Sequence, residues 1–511
     1  MLYMRFTALG VNLDVDPIDL PDSVWTEALN MVAKPGRMQR ALGHREIWAT
    51  PLYPPIYVQY TLQLDGHYWV YAGTSGLATV NESGTHADIT PASFTNPVDP
   101  NGWSGGNLNG IAVVNSLENE PYYWHSAITD AVALPGQRAS TKYRVMRPFK
   151  YHLIALGVED ATGAYWDQVH WSDAADPGQI PATWVPAADN EAGDNILADE
   201  TGDIIDGMTL RDSFYIYKQD SIYEMSYIGG NQVFRFRKVF GTVGVLARNC
   251  IVRVKGTHVV LGNGDIYQHD GQNIQSIVDG KLRDTFFEGI DNDNYEASFA
   301  VYLERKEEVW FCVPQTGQTK PNLALTWNVT TGEFGYRSIP EADFAGVGII
   351  SPPSVGTLEA WEDDPDAWEI DTSVWLDQTF DTTEDGILIA DATNTRLLQA
   401  DTGTTHEGVP YTAAVGRMGL MLDDPREKAI RRLWPRINAP EGTEFTVELF
   451  NQREPSRGAE VLGSFPYLAG ARDGLPINVN ARYMGMRISS DAAVNWDVSG
   501  VDIEYLPRGH F

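Results

Sequence analysis

Val233-Phe234-Arg235-Phe236-Arg237-Lys238-Val239 sets aromatic against basic side chains in alternation. Successive side chains of a strand point to opposite faces, so a period of two implies one buried and one solvated face. Just upstream, Asp212-Ser213-Phe214-Tyr215-Ile216-Tyr217-Lys218 opposes Phe214 and Ile216 to polar neighbours in the same way. The pattern continues outward in His67-Tyr68-Trp69-Val70-Tyr71, Leu77-Ala78-Thr79-Val80, and the pairs 111–114 with 122–124 and 152–156 with 168–171. Asn263-Gly264 and Asp270-Gly271 supply the positive backbone dihedrals of tight hairpins. Trp327-Asn328-Val329-Thr330-Thr331-Gly332-Glu333-Phe334 reads as a further hairpin whose aromatic ends meet across the ladder. No long amphipathic helix is evident, and residues 281–289 are the best short candidate.

These units recur as six or seven sheet-like modules at roughly 45 to 60 residue intervals, the spacing of propeller blades, with an array of sandwiches as the alternative. The expected fold class is all-β, and three segments follow. Residues 1–50 form an N-terminal arm and hairpin, and 51–400 a β-propeller-like body. After a polar linker near 400–408, residues 405–511 form a separate β-sandwich-like domain.

Charge is distributed unevenly. The 511 residues carry a formal net charge of −32, yet 46–137, 151–210 and 338–395 contain no Lys or Arg and hold 34 of the 69 carboxylates. A surface negative in places repels a polyanion there, which suits a conduit for DNA; it also suits a protein merely kept dispersed by acidic faces. Met1-Leu2-Tyr3-Met4-Arg5 lacks the basic region and apolar run of a signal peptide, and no run reaches spanning length, so neither secretion nor membrane insertion is expected. Cys250 and Cys312 are too few for a disulfide framework or thiolate metal site and read as packed free thiols.

Nucleophile elbows, phosphate loops, paired histidines and zinc clusters are absent from the sequence, so no catalytic residue, metal or cofactor is expected. Asp291-Asn292-Asp293-Asn294-Tyr295-Glu296 lacks the glycine and distal glutamate of a calcium loop and reads as a solvated turn. More distinctive is 361–377, where Trp361, Trp368 and Trp375 recur every seven residues with carboxylates between them and Pro365 opposes a helix. Its Asp363, Asp364 and Asp366 are candidate channel-lining acids. Two basic clusters, Arg138, Lys142, Arg144, Arg147 with Lys150, and Arg431, Arg432 with Arg426, Lys428 and Arg436, are candidate docking surfaces for a neighbouring copy or partner, or simply solvated faces.

At the N-terminus, Phe6-Thr7-Ala8-Leu9-Gly10 leads to Asp16-Pro17, Leu20-Pro21-Asp22, Trp25, Ala28-Leu29-Asn30 and Gly36-Arg37-Met38-Gln39-Arg40-Ala41-Leu42-Gly43. An extended arm, a turn in which Asn30 satisfies the local backbone, and a hairpin are expected. With the Trp-repeat segment and the closing β domain, this order resembles the tail nozzle proteins of short-tailed bacteriophages, also called tail tubular protein B or packaged-DNA stabilisation proteins. The resemblance spans most of the chain in order through diffuse motifs, and 85–210 match only in general strand pattern.

The resemblance implies a virion protein assembled in the host cytoplasm. Six copies would form a ring below the tail adaptor, or head-to-tail connector, retaining packaged DNA and releasing it on infection. It further implies contacts with tail fibre or needle proteins, and genomic DNA that passes without tight binding. The competing readings are a propeller-type carbohydrate-active enzyme and a receptor-binding or scaffold propeller, since one fold hosts all three.

Overall fold

The structure is a computed structural model that describes residues 2–7, 10–97, 99–350, 385–422, 426–453, 459–471 and 473–508. It is all-β and propeller-like, with 52% of residues in strands and 4% in helix, and the strands form eight antiparallel sheets among the described residues. The one α-helix among them, Arg283–Glu288, falls where the sequence placed a short helix. The chain divides into two compact units. One comprises Glu46–Asn249 and Glu341–Ala400; the other comprises Met1–Arg45, Cys250–Pro340 and Asp401–Phe511.

In the first unit, sheets follow one another along the chain at 55–88, 104–133, 142–196 and 204–240, each of four strands, and a fifth is built on Phe344–Ile349, Asp385–Asp391 and Arg396–Ala400. The opening strands of these sheets, Pro55–Gln63, Ser104–Leu108, Lys142–Phe149, Ile204–Leu210 and Phe344–Ile349, pack near one another. That approach needs glycine. A Cβ at Gly106 would lie 2.5 Å from the Pro148 ring, and one at Gly348 would lie 2.3 Å from the Tyr60 ring. The core fills the spaces between sheets. Val145, Ile154, Leu156 and Val169 of the third sheet meet Phe214, Ile216 and Met225 of the fourth. Phe234–Phe240 buries Phe234 and exposes Arg235 and Arg237, as its alternation predicts. Ser213–Lys218 differs: Phe214, Tyr215, Ile216 and Tyr217 are all buried, because this strand is covered on both faces.

In the second unit, residues 251–276 form a four-stranded sheet with Gly264 and Gly271 at positive φ. A five-stranded sheet runs Glu27–Leu29, Ala413–Leu420, Tyr483–Ser490, Glu444–Gln452, Glu460–Leu468. A ten-stranded sheet joins the strands of 299–338 to Met31–Lys34 and Arg37–Arg40, then to Asp497–Pro507, Lys428–Asn438 and Leu475–Ala481, with Leu2–Thr7 beside Asp497–Pro507. Both sheets built from the C-terminal segment therefore take in N-terminal strands. This departs from the expectation of a free-standing C-terminal domain, because the arm supplies backbone partners that the C-terminal strands lack.

Asn30 departs from expectation in the same way. Its Oδ1 accepts from the Ser338 N–H and hydroxyl, each at 2.7 Å, and its Nδ2 donates to the Thr412 carbonyl at 2.8 Å. It bridges three distant segments rather than its own turn. Trp327 and Phe334 do pair across their hairpin. Cys250 and Cys312 are buried thiols outside any disulfide, and burial pushes the Cys312 thiol up. In the Asp291 turn, read from the sequence as a solvated turn, the carboxylate accepts from the Asp293, Asn294 and Gly317 N–H groups.

Candidate functional surface

Four sheets of the first unit join their first strand to their second through a two-residue turn. The closing pairs are Gln63↔Gly66, Leu108↔Ile111, Phe149↔His152 and Leu210↔Ser213. Turn residues Asn109, Gly110, Lys150 and Arg211 all have positive φ, the geometry that matches the twist of a tight hairpin. In the fifth sheet the equivalent strands end at the pair Ile349↔Asp385, so residues 350–384 stand where the others have two. That segment contains the tryptophan repeat, ten carboxylates and no basic residue. Asp363, Asp364 and Asp366 lie outside the described residues.

The hairpin end of this unit is built by a repeated interlock. The first three of these hairpins touch the next sheet at the connection between its third and fourth strands or at the third strand's last residue. Ser126 donates its hydroxyl to Asp65 Oδ1 at 2.6 Å and its N–H to Gln63 Oε1. One sheet further, Asn109 Nδ2 donates to the carbonyls of Asp176 and Gln179 at 3.2 and 2.9 Å. At the third step, Lys150 Nζ sits 5.3 Å above the Tyr227 ring. The Ser126 hydrogen bond, helped by Tyr68, holds the Asp65 carboxyl below its usual range. Leu62, Leu64, Tyr151, Tyr227 and Ile228 remain exposed at this end. Sequence reasoning did not single out these four turns; Asn109-Gly110 is the local turn signal that could have pointed to them.

The first basic cluster, a candidate docking surface or solvated face, makes extensive contacts within the chain. Arg138 reaches Asp194 at 3.0 Å and the Trp184 carbonyl at 2.9 Å, and Arg144 reaches Asp203 at 3.5 Å. Lys142 donates to the Glu118 carbonyl at 3.3 Å. Arg147 is the most committed. Its Nε and one terminal nitrogen grip Asp206 at 2.9 and 2.8 Å, and it also donates to Gly105 O at 3.1 Å and Asn249 Oδ1 at 2.7 Å. Asp206 is 1% exposed and accepts from the Gly207 and Asn249 N–H groups. Burial alone would lower the Arg147 pKa, but the facing Asp206 outweighs it and the net shift is upward. Arg138, Arg144 and Arg147 each neutralise a carboxylate of the basic-free stretch 151–210, because neighbouring sheets bring the two segments together. This pairing is fixed by topology and is invisible in linear order.

Arg431 and Arg432 lie half-buried on Lys428–Asn438. Arg431 bonds the Asn478 side chain at 2.5 Å, and the Arg432 guanidinium lies 5.8 Å from the Trp434 ring. Lys428 is buried with its ammonium on the carbonyls of Met421 and Arg482.

Sequence reasoning missed a buried ionic and aromatic knot in the second unit. Asp401 accepts from Lys306 at 2.5 Å and Arg337 at 3.0 Å, and Arg337 stacks on Trp310 at 3.9 Å. Burial would raise the Asp401 pKa, yet Arg337 and Lys306 hold it down to about 2. His406 stacks on Tyr411 at 3.9 Å beside Arg40. Burial, with His44, Arg337 and Arg40 nearby, lowers its pKa to about 3. These groups are scattered over some 370 residues of sequence, and nothing local marks them as neighbours.

Among the described residues no group of three or more His, Cys, Asp or Glu side chains is placed to hold a metal ion. No described helix is long and apolar enough to cross a membrane. No protein-family model matches this chain, and no curated protein matches it significantly.

Proposed function

We propose that the chain is a structural protein of a bacteriophage tail, a nozzle subunit that continues the DNA channel below the adaptor and has no catalytic centre. The observation that carries the reading is the acidic segment 350–384 replacing a two-residue turn in an otherwise uniform set of hairpins. The unit bearing it is itself acidic: residues 46–249, 341–350 and 385–400 hold 27 carboxylates against 12 basic side chains, a net of −15 before the segment is counted. A wall of like charge denies phosphates the lysine and arginine contacts that hold DNA by counterion release. Residues 1–45, 250–340 and 401–511 carry 25 basic and 32 acidic side chains, nearer the balance that contacts between copies need. The order of elements that resembles nozzle proteins supports the same reading, and that reading implies a homo-hexameric ring resting on an adaptor.

The test is a tail assembled with the triple variant Asp363→Lys, Asp364→Lys, Asp366→Lys. DNA exit slows, more so at low salt where the Debye length is longer. Normal ejection by the variant, or a basic channel wall in a map of the assembled tail, would refute the proposal. So would reproducible hydrolysis of a surface polysaccharide that is lost on substituting one carboxylate pair.

A further inference from the structure

The short helix and the Asp291 turn, both singled out in the sequence, face one another across a cleft of about 650 Å³ lined by Gly264, Arg283, Asp284, Phe287, Glu288 and Asn292. Both walls are pinned. Asp14 caps the helix, its carboxylate accepting from the Asp284 and Thr285 N–H groups at 3.0 Å each. Leu13 and Asp14 N–H groups bond the Lys281 carbonyl, and Asn12 Nδ2 donates to Gly280 O at 2.8 Å. The opposite wall is held by Asp291, which ties Asp293, Asn294 and Gly317 together. Arg283 Nε reaches across to Gly264 O at 2.8 Å, fixing the hairpin against the helix.

Inside this frame Arg283 is held by Gly264 O and lies 3.8 Å from the Asp279 carboxylate, while the other polar groups are uncommitted. Among the described residues the side chains of Asp284, Glu288 and Asn292 enter no hydrogen bond or ion pair, and Phe287 is half-buried with part of its ring open. Asp284 and Glu288 are four residues apart and so share one face of the helix. The cleft thus offers carboxylate acceptors, an amide that both donates and accepts, a guanidinium donor and an apolar ring.

The geometry points to a binding site for a neutral saccharide. Sugar hydroxyls donate and accept together, so they match a wall carrying both kinds of partner, while the C–H face of a pyranose packs on Phe287. An anion would face Asp284 and Glu288. A cationic peptide would leave Asn292 underused and meet Arg283. The site is one of binding only, and it is independent of the nozzle reading, whose test is ejection.

Saturation-transfer NMR and calorimetry with the full-length protein and chitotriose, maltotriose and cellotriose test it. At least one trisaccharide binds at millimolar strength, and Glu288→Ala and Asn292→Ala each weaken it roughly three- to tenfold, the worth of one hydrogen bond. Both residues are exposed, so the variants keep the parent melting temperature, and Glu288→Gln retains most of the affinity. The inference is overturned if no trisaccharide binds at high millimolar concentration. It also falls if the variants bind as the parent does, or if a lysine-rich peptide binds and the sugars do not.

Discussion

Asp206→Ala removes the anion facing Arg147 and leaves that guanidinium charged, with its side chain only 14% exposed and neutral partners alone, Gly105 O, Asn249 Oδ1 and the Tyr57 hydroxyl, in place of the carboxylate. Breaking a buried, bidentate pair from one side costs about 3–5 kcal/mol, because the surviving charge has lost its compensation. For a unit of this size each kcal/mol moves the melting temperature by about 2–4 °C, so the transition should fall by on the order of 10 °C. Arg147→Met combined with Asp206→Asn removes both charges and keeps an amide oxygen for one of the two N–H groups, Gly207 or Asn249, that the carboxylate served. It should therefore cost only about 1–2 kcal/mol. Differential scanning calorimetry on the parent and these two variants reads both numbers. A fall of less than about 2 °C in Asp206→Ala, or a double variant as damaged as the single one, would show that Arg147 does not tie these sheets together.

Three further outcomes follow from named contacts. The Asp401 pKa of about 2 lies below the roughly 3.9 of an unfolded aspartate, so its stabilisation is complete above pH 4 and is lost as pH falls toward 2. Asp401→Asn should destabilise the protein at pH 7, with the gap from the parent narrowing over that window in urea titrations. His170 and His269, lowered to about 4 chiefly by burial, and His406, lowered to about 3, are neutral when folded, so the unfolded state binds more protons below pH 6.5. Stability should fall from pH 6.5 toward 4, and His269→Gln should flatten that slope by up to about 3 kcal/mol in the same titration. Gly348→Ala drives a Cβ into the Tyr60 ring and should cost about 1–3 kcal/mol by thermal melt, whereas Gly256→Ala, where space is open, should lose only what its positive φ demands.

Strand existence was legible because period-two patterns and turn residues are local. Phe234 with Arg235, Asn263-Gly264 and the Trp327–Phe334 hairpin stand as read. Non-local partnership was not legible. Nothing near Asn30 announces Ser338 and Thr412, and nothing near Met38 announces Val498. The full burial of 214–217 was hidden because tyrosine serves equally on a wet or a dry face. Of the candidate site residues, composition identified the arginines but could not show that Arg138, Arg144 and Arg147 are spent on Asp194, Asp203 and Asp206. A side chain's charge is local information, whereas its partner is set by which strands the topology makes adjacent.

That distinction sharpens the charge argument. Had the acidic stretches been acidic simply to keep the protein dispersed, pairing them inside the fold would waste the effect. Yet Arg138, Arg144, Arg147, Arg248 and Arg396 meet Asp194, Asp203, Asp206, Asp99 and Asp391. Asp206 and Asp391, each 1% exposed, are where an unpaired carboxylate would be costly; Asp391 meets Arg396 across its own hairpin, and the other pairs fall where sheets or their connecting loops abut. Carboxylates are thus neutralised where packing requires it and left in excess elsewhere. The greatest excess is in 351–384, whose ten carboxylates have no basic residue within the segment and whose insertion point needs only two residues to close the sheet. Folding economy does not call for such a segment there, because its neighbours close with a two-residue turn. On the nozzle reading proposed above, its charge serves to repel passing DNA, which is why Asp363, Asp364 and Asp366 are the residues to reverse.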